Sequence, residues 1–514
     1  MKKIIVFAAL IISAASMVFA SGGSQSRTTA PGTEAPLQIS VYYSDNSTLP
    51  FRQDWLAIKQ IEELYNVRIT WEIIPMGDYD QKVSLALNTG DTPDVILYRN
   101  ASTNPDAALA LNGAITPISD YSQWTPEWNA RVQEYGMKTE VDRLRLQDGK
   151  LYFLSGLTDK PFYDGGVLFR QDIIAKYGIQ PDTWENVYQI CKRYKADNPS
   201  SYPFTMYYGP RVQYRMTQPA WGISVGRNGP SGRVLSWDYA KNEFFAGAIS
   251  EQYREYMRFW NRMYREGLLD PELAEVIPDA TWYRKLSTGS AIATLGWYDQ
   301  IGGIESASTV PGLKFNMYAP PAGPAGAYGE PKNRTGAGIL FPIKTSRRAD
   351  FERVVRTVDK MFFSPEAVKL WCLGVEGTTY NMVNGKVQFV PSIATSPDGP
   401  YKHMQITYGL GAATTQMVWI NATEMTKYDQ NYADINARVA AMGAILPRPP
   451  APHFDDITAE RVNSLMGILW DAQTVWDDQF LTGKKSLDTD WAAYVADMRA
   501  KGIDEYLQLY NRYK

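Results

Sequence analysis

The segment Gly-Asp-Thr-Pro-Asp-Val-Ile-Leu-Tyr, Gly90 to Tyr98, constrains the fold more than any other part of this chain. Gly90 and Pro93 end a helix and turn the chain, and Val95, Ile96 and Leu97 then form an apolar strand that finishes in an aromatic residue. The pattern upstream is of the same kind. Leu37 to Tyr43 alternates as a strand, a helical pattern runs from about Arg52 to Tyr65, Val67 to Ile74 is a second strand, and Asp78 caps a helix reaching Asn88. Strand–helix–strand–helix–strand predicts a doubly wound parallel sheet. Ligands bind beyond the C-terminal ends of strands in such sheets. Tyr42, Tyr43, Ser44 and Asp45 after the first strand, and Tyr98 and Asn100 after the third, are therefore expected to face a crevice.

A chain of 514 residues exceeds what one hydrophobic core organises, so two lobes or more are expected. A net charge of −3, with no run of five like charges, gives nothing that would bind nucleic acid. The 33 Tyr and 15 Trp suit a surface that stacks on flat apolar faces such as sugar rings, although core packing must use most of them. Only His403 and His453 are present, which disfavours a His-rich metal site or several acid/base histidines. Cys191 and Cys372 each sit in an apolar helical pattern and are expected to be buried free thiols.

Residues 1–20 read as a signal peptide. Lys2 and Lys3 form the basic region, Ile4 to Ile12 the apolar stretch, and Val18-Phe19-Ala20 the cleavage site before Ser21. No Cys lies there to carry a lipid anchor, so the expected location is periplasmic or extracellular. Residues 21–36 are small, polar and Pro/Gly-containing, and read as a flexible leader. Further along, short strands are expected at Lys150 to Leu154, Gly166 to Phe169, Ala291 to Leu295 and Gly336 to Phe341, with a Pro/Gly-rich loop from Pro320 to Pro331. Helices are expected at Trp184 to Tyr194 and Ser250 to Arg265, and they dominate from Asp350 onward, including Ile457 to Phe480 and Asp490 to Tyr513.

The chain resembles family 1 extracellular solute-binding proteins of ABC importers, in the long, lipoprotein-like branch with alginate- and oligosaccharide-binding members. The matching pieces are Gly90–Leu97, Gly113-Ala114-Ile115-Thr116-Pro117, Asp148-Gly149-Lys150-Leu151-Tyr152 and Arg170-Gln171-Asp172 through Thr183-Trp184-Glu185. They continue with Tyr264 to Asp270, Phe363-Ser364-Pro365-Glu366-Ala367, Gly374-Val375-Glu376-Gly377, Leu481-Thr482-Gly483, Asp490-Trp491 and Gly502-Ile503-Asp504-Glu505-Tyr506. The resemblance implies a two-lobe, periplasmic-binding-protein-like α/β fold with the ligand cleft between the lobes and a helical C-terminal region. It places residues 37–164 and 333–394 in one lobe and 165–332 and 395–514 in the other. It also implies a carbohydrate ligand, most suitably an oligosaccharide, permease subunits of an ABC importer as partners, a monomer, no enzymatic activity and no cofactor.

By that resemblance Tyr98 lies close to one sugar-stacking position, and Trp297 and Tyr298 to a second. Asp299 is placed to accept paired hydroxyls, and Trp221 and Trp419 are looser candidates. Relatives of the long branch often carry an acidic calcium loop after the helix corresponding to Trp184–Tyr194. Here that stretch, Lys195 to Pro203, offers one carboxylate, Asp197, so no calcium and no other metal is expected.

Two rivals remain from the sequence. Gly222-Ile223-Ser224-Val225-Gly226 matches a serine-hydrolase elbow, but Pro219 before it and Arg227-Asn228-Gly229-Pro230 after it suit a loop. A secreted hydrolase of glycosides or esters would otherwise need a carboxylate pair. Asp477 with Asp478, and Asp455 with Asp456, read more simply as solvated helix or capping residues. A sensor component that presents bound sugar to a membrane receptor would share fold and site with the importer component.

Overall fold

The computed structural model describes residues 35–45, 50–98, 107–159, 161–206, 216–225, 233–274, 279–298, 300–330, 334–396, 400–410, 418–419, 430–452 and 454–514. The chain divides into two units, Met1–Pro36 and Leu37–Lys514, and the second holds both sheets that matter for function. Its strands, in chain order, are β1 (Leu37–Asp45), β2 (Val67–Pro75), β3 (Val95–Tyr98), β4 (Phe153–Thr158), β5 (Gly165–Arg170), β6 (Phe204–Met206), β7 (Ser236–Asp238), β8 (Glu243–Phe245), β9 (Ala293–Trp297), β10 (Phe315–Met317), β11 (Thr335–Leu340), β12 (Tyr380–Val383), β13 (Lys386–Phe389) and β14 (Val418–Trp419).

The first sheet has six strands in the order β14-β4-β11-β3-β1-β2. β1 pairs parallel with both β2 and β3, as the strand–helix repeat predicts. The helices Leu56–Leu64 and Tyr79–Thr89 supply the crossovers, and Gly90 ends the second at φ 75°, where a side chain would be strained. β1 is covered on both faces. Leu37, Ile39, Val41 and Tyr43 enter a core with helix Phe351–Phe363, while Tyr42 enters a smaller core on the opposite face with Ile74, Ile96 and Leu340.

The second sheet has four strands in the order β10-β5-β9-β6 and backs onto a core that includes Trp184, Trp221, Trp260 and Trp282. Caps placed by local chemistry frame its helices. Thr183 accepts from the Asn186 N–H ahead of Trp184–Asp197, Ser250 from the Tyr253 N–H ahead of Glu251–Arg265, and Asp455 from the Thr458 N–H ahead of Asp456–Thr482. The helical pattern from Asp490 to Tyr513 is two helices, Trp491–Ala500 and Ile503–Tyr513, because Gly502 at φ 99° breaks the ladder between them.

Strand direction brings one edge of each sheet together. β11 runs antiparallel to β3 and β4, and β14 runs parallel to β4. β1, β2, β3, β4 and β14 therefore all end on the edge where β11 begins. In the second sheet β9 and β10 run antiparallel to β5, and β6 runs parallel to β9. β6, β9 and β10 thus end where β5 begins. The chain passes from the end of β4 to the start of β5 through 159–164, and from the end of β10 to the start of β11 through 318–334. Both passages join the same two edges, and the shorter holds them within roughly 25 Å.

The segment 400–410, assigned by the resemblance to the second lobe, packs on the first sheet. Met404 and Leu410 lie in the core of β1, the Trp55 Nε1–H donates to the Ile406 carbonyl (3.0 Å), and β14 then pairs with β4. Cys191 and Cys372 are not disulfide-bonded and are buried in different cores.

Candidate functional site

The facing edges receive their side chains from strand ends, and their geometry separates lining residues from packing residues. At the end of β1, Tyr42 and Tyr43 are both 3% exposed. Tyr43 meets Phe51 at 4.9 Å and Trp71 at 5.9 Å between ring centroids, so it is a core residue and not an open stacking surface. The reason is the double covering of β1, which gives consecutive side chains no open face. Burial, with Glu72 nearby, raises the Tyr42 phenol above its ordinary range, opposed by Lys82 over the ring.

Ser44 is 2% exposed, and its Oγ has no hydrogen-bond partner among the described residues. A buried hydroxyl in that state costs free energy unless something else reaches it. Half-buried Asp45 accepts the Phe51 N–H (2.8 Å) through its carboxylate and the Met76 N–H (2.8 Å) through its carbonyl, which fixes the chain leaving β1. Tyr98 closes β3 in register with Gly338. Its side chain, all of Asn100 and all of Asp299 lie outside the described residues, and Trp419 is described only as the backbone end of β14.

On the opposing edge, Trp297 ends β9 opposite Gly165, the first residue of β5. A Cβ at Gly165 would lie 3.3 Å from the indole, so the missing side chain is what lets the half-buried Trp297 ring lie across the strand. The Trp297 N–H donates to Gln300 Oε1 (3.0 Å), and the Tyr298 N–H donates to the Asp164 carbonyl (2.8 Å). The Tyr298 ring stacks on Tyr432 of helix Gln430–Ala441, with centroids 4.2 Å apart and an interplanar angle of 18°. Trp221, in contrast, is 5% exposed and packs against Trp184, Tyr256 and Phe259 in the second core, so it is structural.

The passages between the sheets are held from both sides. Arg334, just before β11, donates to Glu140 Oε1 (3.0 and 2.5 Å) and to the carbonyls of Tyr135 (2.9 Å) and Asp159 (3.0 Å), gathering both passages on the first sheet. Near the second sheet the Asn436 amide brackets Tyr163. Its Oδ1 accepts the Tyr163 N–H (2.8 Å) and its Nδ2 donates to the Tyr163 carbonyl (3.1 Å). The Tyr163 ring is buried between Gly166 and Gly329, and its phenol is raised by that burial and by the Asp164 charge. Burial alone pushes Tyr318, which follows β10, up to about 12, so it is a neutral donor at physiological pH.

Sequence reasoning missed Tyr432 and Asn436. Their i, i+4 spacing puts them on one helix face, but nothing local says that this face meets the strand ends.

The two rival motifs resolve as packing. Gly222 to Val225 is entered by the short turn Gln218–Trp221 and not by a strand, and the Ser224 N–H donates to Ser236 Oγ (2.9 Å). Asp477 is not solvated: it is 6% exposed and accepts the Tyr253 hydroxyl at 2.9 and 2.8 Å. Asp197 accepts from Lys176 Nζ (2.6 Å) and the Tyr177 hydroxyl (2.8 Å), which occupies the one carboxylate of that loop.

Residues 55–369 match the family model described as bacterial extracellular solute-binding protein. The chain belongs to this family. It is similar to the polygalacturonan/rhamnogalacturonan-binding protein YtcQ of Bacillus subtilis, at 21% identity over 63% of this chain and 63% of that protein. It is also similar to the fructooligosaccharide ABC transporter substrate-binding protein FusA of Streptococcus pneumoniae, at 23% identity over 52% of this chain and 53% of that one. The chain thus spans less than two thirds of the length of the curated relatives it matches. Among solved structures, the alginate-binding protein AlgQ2 without calcium superposes with a TM-score of 0.72 at 19% identity, covering 94% of this chain and 98% of that one. That likeness shows the two-lobe solute-binding fold. Among the described residues no helix is long and apolar enough to cross a membrane.

Proposed function

We propose that this solute-binding protein captures a carbohydrate, with an oligosaccharide the favoured size, between two closing lobes and delivers it to the permease subunits of an ABC importer. The observation that carries the reading is the meeting of the two strand-end edges. Half-buried Trp297 lies across Gly165 on one side, and the buried Ser44 hydroxyl, which has no hydrogen-bond partner among the described residues, sits on the other. An aromatic ring takes the C–H face of a sugar and polar groups take its hydroxyls. The relatives named for polygalacturonan and fructooligosaccharide support the ligand class. In this reading Ser44, Asp45, Tyr98, Asn100, Trp297, Tyr298, Asp299 and Trp419 contribute to the cleft, and Tyr43 and Trp221 support it from the cores.

The lobes follow the sheets. The first takes 37–164 and 333–394 and the second takes 165–332; the packing of 400–410 and of strand 418–419 on the first sheet supports a last boundary beyond residue 419. The protein acts as an exported monomer without catalysis. Closure excludes water and strengthens each polar contact to the ligand.

Thermal-shift titration with oligogalacturonides, kestose and nystose, with peptides and polyols as controls, tests the reading. A selective shift with the saccharide recovered intact supports it. A shift that decays as the saccharide is cleaved moves the case to a hydrolase, and no shift with any saccharide overturns it.

A further inference from the structure

We infer that Tyr432 is a positioning residue of the ligand cleft, one that fixes the ring of Tyr298 against which ligand stacks. The inference rests on the carbohydrate reading above and extends it to a helix that reading does not use. Tyr298 is the first residue after β9, and the backbone leading into it is already set. Its own N–H is held by the Asp164 carbonyl, and that of Trp297 by Gln300. The ring itself is set by Tyr432, whose near-parallel face covers it at 4.2 Å. Two other ring pairs among the described residues, Tyr253 with Tyr256 and Phe362 with Trp371, are also stacked, but those four rings are buried, whereas Tyr298 and Tyr432 are both half-buried. Stacking covers one face of Tyr298 and stops it swinging out of the cleft wall, so the other face is presented in one orientation. A ring fixed before binding loses little freedom when a sugar settles on it, which strengthens binding without a new contact.

Tyr432 is itself anchored. Ile435 and Val439 of the same helix enter the second core, and one turn on Asn436 brackets the backbone of Tyr163 in the passage between the sheets. The stack is therefore tied through Asn436 to Tyr163, in the passage that joins the two sheets.

The test is isothermal titration of the full mature protein with kestose, nystose and oligogalacturonides, carried forward with whichever of these the wild type binds. Y432A is expected to weaken the dissociation constant by about tenfold, the scale of one aromatic stack. Y432F keeps the ring and is expected to recover most of that affinity. In a Y298A background Y432A is expected to add nothing, because Tyr432 acts through Tyr298. Unchanged affinity in Y432A, equal loss in Y432F, or a full tenfold effect in the Y298A background would each overturn the inference. Should Y432A fail to fold, Y432L preserves bulk without a flat face, and wild-type affinity in Y432L would refute it equally. Wild type that binds none of the probes overturns the carbohydrate reading and this inference with it, whereas binding by wild type and Y432A alike overturns this inference alone.

Discussion

Substituting Gly166 by Ala tests how tightly the passage from the first sheet to the second is built. A Cβ at Gly166 falls 1.6 Å from the Tyr163 hydroxyl oxygen and 2.4 Å from Cζ, so the phenol must retreat by about 2 Å to reach ordinary contact. It has nowhere to go. Tyr163 is 2% exposed, the Gly329 side of the ring is closed to within 3.2 Å of where a Cβ there would stand, and Asn436 holds its backbone on both polar atoms. Overpacking of this kind costs about 1–3 kcal/mol, and the rigid ring puts the site at the upper end. The lower backbone entropy of Ala in a strand returns roughly 0.5–1 kcal/mol, leaving a net loss of about 2 kcal/mol. Urea denaturation followed by tryptophan fluorescence measures it, with Y163A and the double variant completing a cycle. With the ring removed, Gly166→Ala should be neutral or slightly stabilising. A loss below about 0.5 kcal/mol in the single variant, or the same loss with and without the ring, would refute the reasoning.

Asn436→Ala removes both bonds to the Tyr163 backbone and should destabilise by about 1–3 kcal/mol in the same denaturation assay, since the freed N–H and C=O have no other route to a partner. Asp359 is fully buried and accepts the N–H groups of Glu127 and Trp128, yet burial pushes its carboxyl up to about 7. A carboxyl raised above its unfolded value of about 3.9 contributes most below that value and less as pH climbs toward 7. The stability of wild type relative to D359N should accordingly fall by up to roughly 4 kcal/mol between pH 4 and 7, and a flat difference across that range would count against it. Asp477→Ala leaves the Tyr253 hydroxyl without its acceptor in the second core and should cost about 2–4 kcal/mol by urea melting, with D477N recovering part of the loss. Burial strongly raises the Cys191 thiol and leaves Cys372 1% exposed, so a thiol reagent should label neither until denaturant is added.

The elements legible in the sequence are those whose limits are local. Gly90 ends its helix because only glycine takes that φ cheaply, and Asp455 caps Asp456–Thr482 as expected, whereas Asp78, expected to cap Tyr79–Thr89, sits at its N-terminus without a side-chain cap bond. The parallel start of the first sheet followed from the same signals. Strand limits were less legible. The expected strand Lys150 to Leu154 is β4, Phe153–Thr158, and Ala291 to Leu295 is β9, Ala293–Trp297, because pairing with β11 and β5 decides which residues of an apolar run are extended together.

The sequence by itself determined the family, the doubly wound beginning and the burial of both thiols, since each rests on side-chain chemistry acting within a few residues or on ordered motifs along the whole chain. The tertiary structure alone decided which of the candidate aromatics are enclosed by packing and which are only half-buried. Tyr43, Trp221 and Trp297 are the same kind of residue on paper. The first is enclosed because β1 is covered on both faces, the second because three aromatic neighbours surround it, and the third is half-buried because it ends its strand against a glycine. It likewise decided that Asp477 is buried against Tyr253 and that Tyr432 meets Tyr298 across more than a hundred residues of chain. Burial and contact at such separations depend on which faces the sheets and helices turn toward one another, and no local pattern carries that information.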